Sequence, residues 1–216
     1  MNKRALLFPL RDDNPTNRTP YINWILIAIN ILVFIFSLAN HDAIVQAFGF
    51  TPVEFSFLTI FTSMFLHASF QHIIGNMWFL FIFGDNIEDK LGHIQYLLFY
   101  LAAGILASLT HYITNVSSSI PAVGASGAIS GVLGAYLVFY PHASVYVSGG
   151  LGHAGKVSAK LMLVVWFGYQ FLNGVIGFFG AQSGVAFWAH IGGFVAGVAI
   201  AWLYLKLTKK SVKSNI

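Results

Sequence analysis

The chain has 216 residues, of which 57% are apolar and 8% charged; soluble domains carry roughly 25% charged residues, so this composition excludes an ordinary water-soluble domain and points to the bilayer. A net charge of +4 would suit nucleic acid, but the basic residues are placed as membrane topology places them, and no nucleic-acid partner is expected. Cysteine is absent, which excludes disulfides, thiolate metal sites and a cysteine nucleophile while leaving the compartment open.

A spanning helix needs about 20 mostly apolar residues. Residues 1–20 form a polar N-terminal segment, and the first apolar run covers 21–39. It ends in Ser37-Leu38-Ala39, which resembles a signal cleavage site. Its apolar core of about 18 residues exceeds the 7–15 of a signal segment, so it reads as an uncleaved span. A shorter and more polar run follows at 71–87, then a clean one at 93–113. Another short one occupies 124–140, and two clean ones lie at 160–179 and 185–207. The expected fold is an all-α polytopic membrane protein: a six-helix bundle over 21–207 with a polar tail at 208–216.

The basic residues orient this bundle. Lys3, Arg4, Arg11 and Arg18 precede the first span, and Lys90 follows the second. Lys156 and Lys160 follow the fourth, and Lys206, Lys209, Lys210 and Lys213 close the sixth. All fall on one side, which the positive-inside rule makes cytoplasmic, with both termini there. The loops 41–66, 114–123 and 180–184 carry no Lys or Arg and face outward.

Strongly polar side chains within spans mark function or helix contact. His72, Asn76, Ser126 and His190 each lie within the first two turns of a span counted from its outer end, on the order of 5–10 Å down. Three separate spans thus bring polar groups to one depth. His72 and Asn76, four apart, share a helical face. The span that holds Ser126 is short for a hydrocarbon core near 30 Å. Its helix must start inside the membrane, leaving unpaired N–H groups that favour negative charge. Gly127, Gly131 and Ala135 repeat at intervals of four, as do Ala189, Gly193 and Gly197, and such faces let two backbones approach closely. Ser126 and His190 flank these faces, so the two can meet at the 2.6–3.2 Å that nucleophile activation needs. Taken singly, each has a plainer explanation. A membrane serine commonly bonds its own backbone, a lone histidine packs, an asparagine joins helices, and a glycine repeat marks helix contact. Their common depth is what favours a catalytic site.

Four segments carry a family resemblance. Gly124-Ala125-Ser126-Gly127 resembles the GxSG nucleophile motif of rhomboid proteases. Ala189-His190-Ile191-Gly192-Gly193, followed by Phe194-Val195-Ala196-Gly197, resembles their AHxxG histidine segment. His67-Ala68-Ser69-Phe70-Gln71-His72-Ile73-Ile74-Gly75-Asn76 is similar to their HxxxxHxxxN stretch. The run from Phe83-Gly84 through Glu88 to Leu91-Gly92 resembles the turn that closes their second helix. The segments stand in the family's order across most of 59–207.

The resemblance implies a six-helix rhomboid core and a serine-type endopeptidase that cleaves single-span transmembrane proteins near the extracytoplasmic side, working in membrane lipid without cofactor or metal. Ser126 is the implied nucleophile and His190 its general base and then acid, a dyad with no acidic third member. His72, Asn76 and the backbone N–H of Ser126 are the implied oxyanion donors, and Gly124 admits the substrate backbone. Ser130, one turn deeper, is a rival nucleophile outside the motif. Some relatives place there an aromatic that stacks on the histidine; this chain does not, so His190 must be steadied otherwise. Several relatives carry a Trp-Arg pair in the first outer loop, and residues 51–63 hold neither. The glycine-rich stretch 148–159 reads as a flexible connector, and Glu88, near Lys90, as a structural cap or ion-pair partner.

Two other functions compete. A small transporter would need ionisable groups at mid-membrane, and all seven acidic residues fall outside the spans or at their ends. A catalytically inactive rhomboid-like protein that binds membrane helices would normally lack the serine or the histidine. A zinc site from His67, His72, His111 and His190 is chemically conceivable, but no HExxH accompanies them.

Overall fold

The computed structural model describes residues 8–148, 154–179 and 184–214. Lys3, Arg4, most of the outer loop 180–184 and the centre of the 148–159 stretch lie outside the described residues. In chain order the elements are β1 (Phe8–Asp12), α1 (Tyr21–Ser37), α2 (His41–Phe48), α3 (Phe57–Thr62), α4 (Phe70–Leu91), α5 (His93–Thr114), α6 (Ser126–Phe139), β2 (Ser144–Ser148), β3 (Ala154–Ser158), α7 (Ala159–Gly177) and α8 (Phe187–Ser214).

The protein is helical, as its apolar runs require. Four stretches are long and apolar enough to cross a membrane among the described residues: Tyr21–Phe48, His93–Thr114, Ala159–Gly177 and Phe187–Thr208. Phe57–Phe65 and Phe70–Leu91 together make a fifth, bent by 86°, and α6 is a shorter apolar helix. Each of the six runs read from the sequence coincides with one helix, and six spans are compatible with this set.

The centre of the bundle is α6. Every residue from Gly127 to Tyr136 is buried, as expected of a helix apolar all round. It packs most extensively on α8, then on α5 and α4. The two small-residue faces meet. A Cβ at Gly193 would overlap the Gly127 carbonyl, and one at Gly197 the Gly131 carbonyl. On the other side of α6, Cβ atoms at Gly127 and Gly131 would run into Ala107 and Ala103 of α5. The outward faces of α1, α7 and α8 show Leu32, Phe36, Val165, Leu172 and Leu203, the apolar surface that lipid requires.

The end of the bundle that carries the described basic residues is tied by buried polar groups. Glu88, fully buried, accepts from the backbone N–H groups of Ile22 (3.0 Å) and Asn23 (2.7 Å). A carboxylate from α4 thereby caps the open start of α1, where no side chain of its own does so. Its side-chain partner is the imidazole of His93, not Lys90. Asn23 donates to the Leu80 carbonyl and accepts from Tyr96, joining α1, α4 and α5.

The inner stretch differs from the flexible connector expected. Its two flanks are β2 and β3, paired antiparallel from Ser144↔Ser158 to Ser148↔Ala154, and β1 adds to β2 as a third strand. Val145 and Val147 are buried in alternation with half-buried neighbours, the period of two that a half-buried strand demands. Asp12 at the end of β1 accepts from Tyr136 of α6 (2.7 Å) and Asn86 of α4 (2.8 Å). Burial pushes its carboxyl above the ordinary value, against the hydrogen bonds from Tyr136 and Asn14 that pull it down. Trp78 of α4 donates to the Pro9 carbonyl at 2.7 Å, and β2 and β3 rest on α7.

The outer segment 41–66, read as a loop, is built of α2, α3 and short 3₁₀ turns. In place of a Trp-Arg pair, tilted ring contacts anchor it: Phe50 and Phe55 both pack on Tyr112 of α5.

Because the α6–α8 contact is backbone to backbone, Gly197→Ala is expected to cost about 1–3 kcal/mol as overpacking. The exposed Gly168 of α7 has nothing within 4 Å of an added Cβ, so Gly168→Ala should be neutral or stabilising by up to about 1 kcal/mol. Thermal unfolding of both variants in detergent checks the contrast.

Candidate active site

The turn before α6 is fixed from outside the helix. Phe50 and Ala122 exchange backbone hydrogen bonds at 3.0 and 2.9 Å, and Gly124 donates to the Ser63 carbonyl at 2.9 Å. Gly124 has φ of 131°, and a Cβ there would lie 2.8 Å from Cε1 and Nε2 of His72. Only glycine combines that backbone with room for the imidazole. The helix then begins at Ser126 itself, with no side chain capping its first N–H groups, so donors are left facing outward at the serine.

Ser126 and His190 meet. Oγ lies 2.8 Å from Nε2, a hydrogen-bonding distance between residues 64 apart in sequence. The register that sets Gly193 against the Gly127 carbonyl delivers it: the residue after Ser126 faces the residue three past His190, one helical turn away.

The far side of the ring is also held. His190 Nδ1 lies 2.9 Å from Oε1 of Gln170, a buried residue of α7. Trp166, one turn earlier on α7, faces the imidazole with ring centroids 6.2 Å apart and planes at 31°. These two do the steadying that the small side chain of Ser130 cannot. Neither was singled out from sequence, although Gln170 answers the same test as the others, a polar side chain within a span.

His72 and Asn76 sit on the first turns of α4, whose start is capped by Ser69 Oγ accepting from the His72 N–H at 3.2 Å. The Asn76 side-chain nitrogen is buried without a hydrogen-bond partner. Both residues, with Ser126, Gln170 and His190, line one cavity of about 630 Å³ between α4, α6, α7 and α8. Gly124 is not among its lining residues and instead lines a small pocket of about 30 Å³ together with Ser126. Ser130 also touches the cavity wall, but its hydroxyl donates to the Ser126 carbonyl at 2.6 Å, a helix-internal bond that occupies its proton. His67 is buried, packed edge-on against His72 at 5.1 Å between ring centroids. Among the described residues no group of three or more His, Asp or Glu is arranged to hold a metal ion.

The family model described as Rhomboid domain matches residues 54–207. The putative rhomboid protease YdcA of Bacillus subtilis is 27% identical over 189 residues, covering 85% of this chain and 88% of that protein. The rhomboid protease GluP of the same organism is 30% identical over 189 residues, 84% of this chain and 34% of the longer relative. The mitochondrial rhomboid protein 1 of Saccharomyces cerevisiae is 28% identical, covering 86% of this chain and 54% of its own length.

An unpartnered buried amide is a burden on folding, costing about 1–3 kcal/mol. Asn76→Leu is therefore expected to leave the thermal stability unchanged or raise it. A drop of more than about 1 kcal/mol would mean that the amide is satisfied in the folded protein.

Proposed function

The chain belongs to the rhomboid family, and on that premise we propose that it is an intramembrane serine endopeptidase that cleaves single-span transmembrane proteins with a Ser126–His190 dyad. One observation carries the reading: the 2.8 Å hydrogen bond between Ser126 Oγ and His190 Nε2 inside a cavity of about 630 Å³. A structural serine in a membrane helix bonds its own backbone, as Ser130 does. Ser126 instead spends its hydroxyl on an imidazole from another helix.

The chemistry follows from that geometry. Ser126 Oγ attacks the scissile carbonyl as its proton passes to His190 Nε2, and the carbonyl oxygen becomes an oxyanion. The backbone N–H of Ser126, the free Asn76 amide and a ring N–H of His72 are the donors that would hold that charge. His190 then returns the proton to the leaving amine, and water, activated by the same Nε2, hydrolyses the acyl-enzyme. Gly124 keeps the wall beside the serine low enough for His72 and for an extended substrate backbone.

Lys and Arg flank the inner ends of the spans in sequence, and the positive-inside rule supports cytoplasmic termini with the cavity toward the extracytoplasmic half of a cell membrane. A substrate helix must unwind there to expose its peptide bond, because a hydrogen-bonded helix shields its carbonyls. Cleavage is therefore expected near the extracytoplasmic end of the substrate span, at small residues beside helix-weakening Gly or Pro.

In liposomes with a generic single-span substrate and a metal chelator throughout, the parent should cleave, and Ser126→Ala and His190→Ala should not. Asn76→Ala should lower kcat by about 10²–10³. Cleavage surviving Ser126→Ala would overturn the assignment, and a cut in the cytoplasmic half would overturn the topology.

A further inference from the structure

The imidazole of His190 is gripped at both nitrogens, and only one of the two grips belongs to the dyad. To accept the Ser126 proton, Nε2 must carry its lone pair, so the ring proton must reside on Nδ1. Neutral imidazole holds that tautomer reliably only when Nδ1 faces an acceptor. In soluble serine proteases the acceptor is a carboxylate. Here the carboxylates lie elsewhere: Asp12, Asp13, Asp85, Glu88 and Asp89 at the basic end, Asp42 and Glu54 in the outer segment. What stands at Nδ1 is the amide oxygen of Gln170, at 2.9 Å.

Resting on the proposed dyad, we infer that Gln170 is a positioning residue: its Oε1 accepts the Nδ1–H of His190, fixing the tautomer and the ring plane that make Nε2 the base toward Ser126.

Three features of α7 bear this out. Trp166, Gln170 and Gly174 are spaced by four and share one helical face, and all three engage α8. Trp166 faces the His190 ring, Gln170 bonds it, and the Gly174 carbonyl accepts from Trp188 at 3.2 Å while leaving room for the indole. Gln170 is thereby braced on both sides along its own helix. It is also buried, which limits the freedom of its side chain to turn away from His190. Finally, a carboxylate at this depth would cost several kcal/mol to bury, whereas a carboxamide supplies the same acceptor without a charge. The consequence differs from a triad: Gln170 orients the base but adds no negative charge to stabilise the imidazolium. The opposite amide rotamer would present N–H to Nδ1, drive the proton to Nε2 and block the dyad, so the oxygen-inward orientation is a requirement of function.

The test uses the full-length protein, with a serine-reactive fluorophosphonate probe and liposome cleavage as activity readouts and ¹⁵N-histidine spectra as the structural one. The His190 signals are identified by their loss in His190→Ala. Gln170→Leu is close in size and lacks an acceptor, and Gln170→Met is a second such variant should the first misfold. Gln170→Glu keeps the acceptor oxygen. The expected result for the Leu or Met variant is a loss of at least about tenfold in kcat with KM within about twofold, since losing the histidine's orienting partner costs up to about 10⁴ in a triad. Melting temperature should hold, the His190 spectrum should lose its Nδ1-protonated signature, and Gln170→Glu should recover at least about tenfold over Gln170→Leu. The inference falls if the acceptor-free variants match the parent in kcat, if their His190 tautomer is unchanged, or if both lose activity only as they unfold, the mark of simple helix glue. A folded parent that neither labels at Ser126 nor cleaves would bring down the proposed dyad and this inference with it. An active parent with an indifferent Gln170→Leu brings down the inference alone.

Discussion

The close approach of two glycine-faced helices governs this molecule. Where Gly193 and Gly197 of α8 lie on the carbonyls of Gly127 and Gly131, no side chain separates the backbones, and the register between α6 and α8 has no freedom to drift. In lipid there is no hydrophobic force to push helices together, so such packing is the main source of association. It also acts as a ruler. One turn toward the open end of the bundle, the same register leaves Ser126 and His190 within 2.8 Å. A pair brought together by side chains alone would tolerate sliding; this one does not.

The second constraint is the start of α6 within the membrane. A helix that begins there exposes N–H groups that lipid cannot satisfy, and the protein answers by surrounding the turn with other backbone. Ala122 is paired with Phe50, and Gly124 with Ser63, so the outer segment serves as the floor on which the turn before Ser126 rests. That explains why this segment is folded into α2 and α3 and pinned by Phe50, Phe55 and Tyr112 rather than left as a loop. The donors at Ser126 remain open, in the one place where the cavity can fill them with a ligand oxygen.

Much of this was legible in the sequence because the bilayer is a severe solvent. Apolar run length located all six principal helices, though α8 continues seven residues beyond the expected end at 207, and the glycine spacing identified the faces that meet. Polar residues at a shared depth marked His72, Asn76, Ser126 and His190, which the fold gathers around one cavity. Gln170 escaped because it lies deeper in a long apolar span and belongs to no motif, so nothing but tertiary contact tied it to His190. The sheet escaped for another reason. Five-residue strands of moderate polarity are too short for alternation to stand out, and the glycines between β2 and β3 suggest a connector. The partner that makes them a sheet, β1, lies 140 positions before its match at Phe8, which pairs with Ser148, and chain pattern does not carry pairing at that range.

That sheet bears on the cavity. His72 and Asn76 stand on α4, and Trp166 and Gln170 on α7, so these helices form facing walls. β1 rests on α4 through the Trp78–Pro9 bond, while β2 and β3 rest on α7. The three strands therefore bridge the two walls toward the basic end. The N-terminal segment, a polar stretch ahead of the first span, is thereby built into the frame that ties α4 to α7.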